Sequence, residues 1–129
     1  MDAPKKLYRF LRRLEEQGEN AVIIAPAILE RYSNDKMRTI AIMGLTDERK
    51  IFGYIVITNK NVHYVRSGLL WDNAQTISLE NITNVEYYNQ FLTNTLQIEM
   101  GKMSEKIVFY DEKDGINFYR YIKFQQWKN

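Results

Sequence analysis

The chain contains no cysteine, which removes disulfides, thiolate metal sites and cysteine nucleophiles together. It carries one histidine, His63. No glycine-rich phosphate loop occurs, and no serine–histidine–aspartate set assembles from the sequence. No uninterrupted apolar run approaches the roughly 18 residues that a membrane-spanning helix needs. The basic start, MDAPKKLYRFLRRLEE, is not followed by the apolar stretch of a signal peptide. These absences set the expectation of a soluble cytoplasmic protein without catalytic chemistry. Charge of one sign is scarce too. The net charge is +2, and residues 1–18 hold all of it, with Lys5, Lys6, Arg9, Arg12 and Arg13 against Asp2, Glu15 and Glu16. The balanced remainder argues against the phosphate-dominated contacts of nucleic-acid binding.

What is present is core-forming. A chain of 129 residues with 45% hydrophobic and 13% aromatic residues is long enough for one domain with a real core, and too apolar to stay disordered. From residue 37 onward it reads as short strands separated by turn signals. The clearest is 94–100, where Leu96, Ile98 and Met100 alternate with Thr95, Gln97 and Glu99, the period of a half-buried strand. Similar alternation or β-branched, aromatic composition marks 37–46, 51–58, 61–67, 73–79, 83–89 and 105–111. Seven strands with no room for crossover helices must pair antiparallel. The stretch Thr58-Asn59-Lys60-Asn61 supplies turn residues for one hairpin and Gly101-Lys102-Met103-Ser104 for another.

Helices flank this set. In the first, Leu7, Tyr8, Phe10, Leu11 and Leu14 fall within an arc of about 160°, opposite Lys5, Lys6, Arg9, Arg12, Arg13 and Glu16. Pro4 suits its start and Gly18 its stop. Residues 21–25 are apolar without pattern, and Pro26 is read as opening a short second helix. Residues 1–36 are thus expected to form a helical extension and residues 37–129 the domain. The last helix, 114–128, scatters Ile116, Phe118, Tyr119, Tyr121, Ile122, Phe124 and Trp127 around most of its circumference. Such a helix needs more than one surface to bury against.

Two stretches add a family likeness. GYIVITNKNVHYV at 53–65 and ISLENITNVEYY at 77–88 resemble the hairpin and the following strand–turn–strand of the small bacterial pleckstrin-homology-like (PH-like) domains. The resemblance implies a mainly β, α+β fold, a seven-stranded antiparallel barrel or sandwich capped by a C-terminal helix. It also implies a binding role. Many PH-like domains hold phosphoinositide headgroups with basic residues around the first hairpin loop. Here that loop is Asp47-Glu48-Arg49-Lys50, two acids beside two bases, which turns the expectation toward protein partners.

Candidate functional residues follow from surplus apolar surface. Leu69, Leu70 and Trp71 stand in a loop where polar residues are expected, and Phe118, Tyr121 and Phe124 make the surplus aromatic face of the last helix. Both sets are read as protein-binding or self-association surfaces. The alternative is a peripheral adaptor at the inner face of the membrane, with Lys5, Lys6, Arg9, Arg12 and Arg13 facing anionic lipid. Asp111, Glu112 and Asp114 read as the acidic start of the last helix rather than a metal site. No cofactor, metal or small-molecule substrate is expected, and His63 reads as a surface or satisfied core residue.

Overall fold

Period-two alternation decides where most of the chain goes. The structure, a computed structural model, describes residues 5–30, 50–66, 74–90 and 93–128. In chain order it holds α1 (Lys5–Glu16), β1 (Ala21–Glu30), β2 (Lys50–Thr58), β3 (Asn61–Arg66), β4 (Ala74–Ser78), a 3-10 turn (Leu79–Asn81), β5 (Asn84–Gln90), β6 (Thr93–Met100), β7 (Met103–Phe109) and α2 (Glu112–Lys128). The strands form one seven-stranded sheet, ordered β4-β3-β2-β1-β7-β6-β5, with every pair antiparallel. The expected fold class, a seven-stranded antiparallel sheet with a C-terminal helix, is the observed one.

Membership of the sheet differs from expectation at one strand. Residues 21–30 do not lead into a helix at Pro26; they are β1, hydrogen-bonded to β2 and β7 at the centre of the sheet. Ala25, Ala27 and Leu29 are buried while Val22, Ile24 and Pro26 are exposed. The alternation is real but invisible in the sequence because both faces carry apolar residues. Pro26 is tolerated because it lies one residue beyond the last β1–β7 pair, Ala27 with Phe109. At that point β1 has a ladder partner only on the β2 side. The expected strand at 37–46 and the loop at 67–73 lie outside the described residues.

The inner face of the sheet and α2 enclose the main core. Ala27, Ile55, Ile57, Leu96, Ile98, Ile107 and Phe109 from the strands meet Phe118 and Ile122 from the helix. Asp111 starts α2 as its N-cap, its Oδ1 accepting from the Lys113 N–H at 3.0 Å. Burial, reinforced by the charge of Asp111, pushes the Asp114 carboxyl above its ordinary value.

Close approach of α2 to the sheet depends on Gly115. A Cβ there would come within 2.7 Å of Tyr87 Cε2 and 3.2 Å of Phe109 Cδ2, and the Tyr87 ring is tethered by its hydroxyl, which donates to Asn94 Oδ1. Glycine to alanine inside a helix ordinarily gains about 1 kcal/mol. At this site the overpacking cost of roughly 1–3 kcal/mol reverses the sign. Gly115→Ala is expected to lower the midpoint of urea unfolding, and a raised midpoint would contradict the contact.

Candidate functional site

The outer face of the sheet is where the sequence's loose ends converge. α1 docks there over β2 and β3. Leu7 and Leu14 are buried against Val56 and Val65, with Phe10, Leu11 and Tyr54 packed around them. All of the apolar stripe read from the sequence except Tyr8 is therefore satisfied by the chain's own sheet. Lys5, Arg9, Arg12 and Arg13 remain exposed on the side turned from it, and Lys6 belongs to the same first turn.

The way α1 ends places a charge on the sheet. Gly18, at φ +80°, takes the left-handed conformation that terminates the helix. The Gly18 N–H then donates to the Glu15 carbonyl at 3.0 Å and the Glu19 N–H to the Leu14 carbonyl at 2.9 Å, the paired bonds of a Schellman motif. Glu19 is thereby turned onto the β2–β3 hairpin and buried. Its Oε1 accepts from Thr58 Oγ1 at 2.5 Å, His63 Nε2 at 2.7 Å and Asn61 Nδ2 at 2.8 Å. Two hydrogen bonds between Asn20 and Asn59 close the junction, the Asn20 N–H donating to the side-chain Oδ1 of Asn59 and the Asn59 N–H to the Asn20 carbonyl.

Burial by itself would raise the Glu19 pKa. The hydrogen bonds from Thr58, Asn61 and His63 and the attraction of the His63 ring outweigh it, and hold the carboxyl below its ordinary 4.5. Ionised, Glu19 can only accept, so His63 Nε2 donates. His63 Nδ1 lies 2.9 Å from Thr76 Oγ1 on the facing position of β4, and Phe10 sets its ring edge-on to the imidazole at 5.2 Å. The order hydroxyl, imidazole, carboxylate resembles a nucleophile relay. Its components say otherwise. The carboxylate arrives from a helix cap, the Thr76 contact is a cross-strand pair, and Phe10 covers the ring. The assembly clamps α1 to the sheet.

The residues expected to bind partners are dispersed. Leu69, Leu70 and Trp71 lie outside the described residues. Phe118 is 0% exposed, its ring 5.1 Å from Phe109, so it belongs to the core and not to a contact face. Tyr121 is half-buried against the same core. Phe124 alone of the three stands out, 54% exposed. It is joined by Trp127, 83% exposed, with ring centroids 6.4 Å apart. A second exposed apolar set, Val22, Ile24, Phe52 and Tyr110 on the outer sheet face, has no counterpart in the sequence reading, and Tyr8, read as part of the stripe of α1, is exposed beside it. Their neighbours on each strand are equally apolar, so nothing local marks which side faces water.

A cleft of about 690 Å³ opens between β4, the 3-10 turn and the β6–β7 hairpin, lined by Thr76, Ile77, Ser78, Asn81, Met100, Met103 and Glu105. No group of three or more metal-ligating side chains occurs among the described residues. No described helix is long and apolar enough to cross a membrane.

No protein-family model and no curated protein sequence matches the chain. Among solved structures it is similar to the "Vps36 N-terminal PH domain", with a TM-score of 0.58 and 17% sequence identity, covering 82% of this chain and 77% of that one. The architecture is a PH-like fold.

Proposed function

We propose that this chain is a non-catalytic binding module, of the kind of the small bacterial PH-like domains, that acts through protein–protein contact, including contact with its own copies. The observation that carries the reading is the apolar surface left over once both helices have docked. Phe124 and Trp127 on α2, and Ile24 and Tyr110 on the outer sheet face, remain exposed. Large side chains left in water as groups mark interaction surfaces. Sedimentation velocity across a range of concentrations tests the self-association arm. The expected result is a reversible rise above 15.4 kDa that a Phe124→Ser/Trp127→Ser double variant abolishes. A mass fixed at the monomer value at every concentration would leave only partners of another sequence.

One observation favours a second reading, a peripheral membrane adaptor. With its stripe docked, α1 presents Lys5, Arg9, Arg12 and Arg13 outward. Near an anionic surface each is worth about 1 kcal/mol. Because α1 is part of the packed structure, charge reversal is a cleaner probe than truncation. On this reading the full chain pellets with phosphatidylserine vesicles but not with phosphatidylcholine ones. Pelleting falls as salt rises, and an Arg9→Glu/Arg12→Glu/Arg13→Glu variant does not pellet.

A further inference from the structure

The spacing of the outer sheet face leaves one more helix lane. Strands lie about 4.8 Å apart and packed helices about 8–10 Å apart, so one helix covers two strand intervals. α1 sits over β2 and β3, with Val56 and Val65 beneath it. The next lane therefore runs over β1 and β7, the following strands in the sheet order. Its floor is apolar up to the in-register Glu30 and Lys106 at one end. Ile28 faces Val108 in register, and both are half-buried. Ile24 is 42% and Tyr110, directly after β7, 61% exposed. Beyond the lane the outward positions of β6 turn polar, with Thr95 and Gln97 in register with Val108 and Lys106.

α1 supplies the wall. Phe10 leans over β3 onto His63, so the opposite flank of the helix looks toward β1. That flank carries Tyr8, Leu11 and Glu15, an i, i+3, i+7 row. Tyr8 is exposed and Leu11 half-buried, as befits a ridge with room for a neighbour. Lys5 lies three residues before Tyr8 and Arg12 four after it, which puts both cations on the same side. Through its first two turns the wall is basic, and Glu15 and Glu16 answer at its far end.

Resting on the protein-contact reading above, we infer that this lane receives an amphipathic α-helix of a partner protein, apolar side on Ile24, Ile28, Val108 and Tyr110, with acidic residues on the flank that meets α1. Charge complementarity selects this occupant over a second copy's α1. That helix would bring Lys5 and Arg12 against the same residues of its neighbour.

Titration of the isotopically labelled full chain with two synthetic helical peptides tests it. Both carry one leucine stripe; the flanks are glutamate in one and lysine in the other. The acidic peptide is expected to shift the amide signals of Tyr8, Ile24, Val108 and Tyr110 in a saturable way, and to bind about tenfold more tightly than the lysine peptide at low salt. Ile24→Glu and Tyr110→Ser, both at exposed positions, should each abolish the shifts while unfolding midpoints hold. Lys5→Glu/Arg12→Glu should invert the preference between peptides. Absence of shifts at these residues at millimolar peptide, or equal binding of both peptides, overturns the lane. Binding that maps to Phe124 and Trp127 overturns it while upholding the protein-contact reading. No binding by either peptide, together with a strict monomer, removes both.

Discussion

Glu19→Ala is expected to cost about 3 kcal/mol, within the range for removing one partner of a buried charged network, and to lower the thermal midpoint by roughly 10 °C for a chain of this size. The size follows from what is left behind. Thr58 Oγ1, Asn61 Nδ2 and His63 Nε2 all converge on Glu19 Oε1, and alanine offers none of them an acceptor. The His63 N–H and the Asn61 amide then lose this acceptor, the Thr58 hydroxyl falls back on the Asn61 carbonyl at 3.3 Å, and each buried group left unpaired costs about 1–3 kcal/mol. Partial relief comes from water entering as the end of α1 lifts. Amide hydrogen exchange should therefore show α1 and the Thr58–Asn61 turn losing protection ahead of β6 and β7. A variant that unfolds at the wild-type midpoint, with α1 still protected, would refute the clamp.

The same group gives a pH signature of defined sign. The Glu19 carboxyl is held below its ordinary 4.5 in the folded chain. It therefore contributes stability that is fully present above 4.5 and is lost as pH falls through the lower folded value. Asp114, raised by burial and by Asp111, works the other way and gains stability as pH falls. Wild type alone cannot separate the two, but the difference between wild type and Glu19→Gln isolates the first. Glutamine keeps an acceptor of the same shape and cannot titrate, so the gap between the two proteins should shrink as pH falls below 4.5.

How far the sequence speaks differs between the two faces of the sheet. On the inner face it is nearly complete. Leu96 and Ile98, and Ile107 and Phe109, are core positions by alternation and are core in the fold, while Ile55 and Ile57 sit in a strand legible only from its β-branched composition. The stop at Gly18, the turn at Thr58-Asn59-Lys60-Asn61 and the cap at Asp111 are legible because each rests on local backbone chemistry. β1 is not legible, since apolar residues on both faces erase the period and Pro26 suggests the wrong element. The clamp is hidden for another reason. Glu19 meets Thr58, Asn61 and His63 across 39, 42 and 44 residues, and no local pattern encodes that meeting. The only hint is an acid placed directly after a helix-stopping glycine. Exposure of Ile24, Phe52 and Tyr110 depends on where α1 comes to rest, which strand alternation cannot say.

The aromatic C-terminal helix shows how far two residues of similar chemistry can diverge, and it yields the other large effect. Phe118→Ala is expected to destabilise the chain by about 3–5 kcal/mol, the range for emptying a buried phenylalanine site. Phe118 is fully buried with Ile122, against Phe109 and the inner sheet face. It also follows Gly115, whose missing side chain sets how closely the helix sits. A backbone held there by Asp111 and by the Tyr87 contact cannot collapse readily into the space vacated, which places the cost toward the upper end. Trp127→Ala removes a larger side chain, but one that is 83% exposed, and should change stability by no more than about 0.5 kcal/mol. The two variants thus divide the helix. One should move the urea midpoint and leave any association untouched where the chain is folded; the other should leave the midpoint and weaken association. If Trp127→Ala destabilised as much as Phe118→Ala, the outward assignment of the Phe124–Trp127 pair would fail, and the surplus aromatic surface would have to be sought elsewhere.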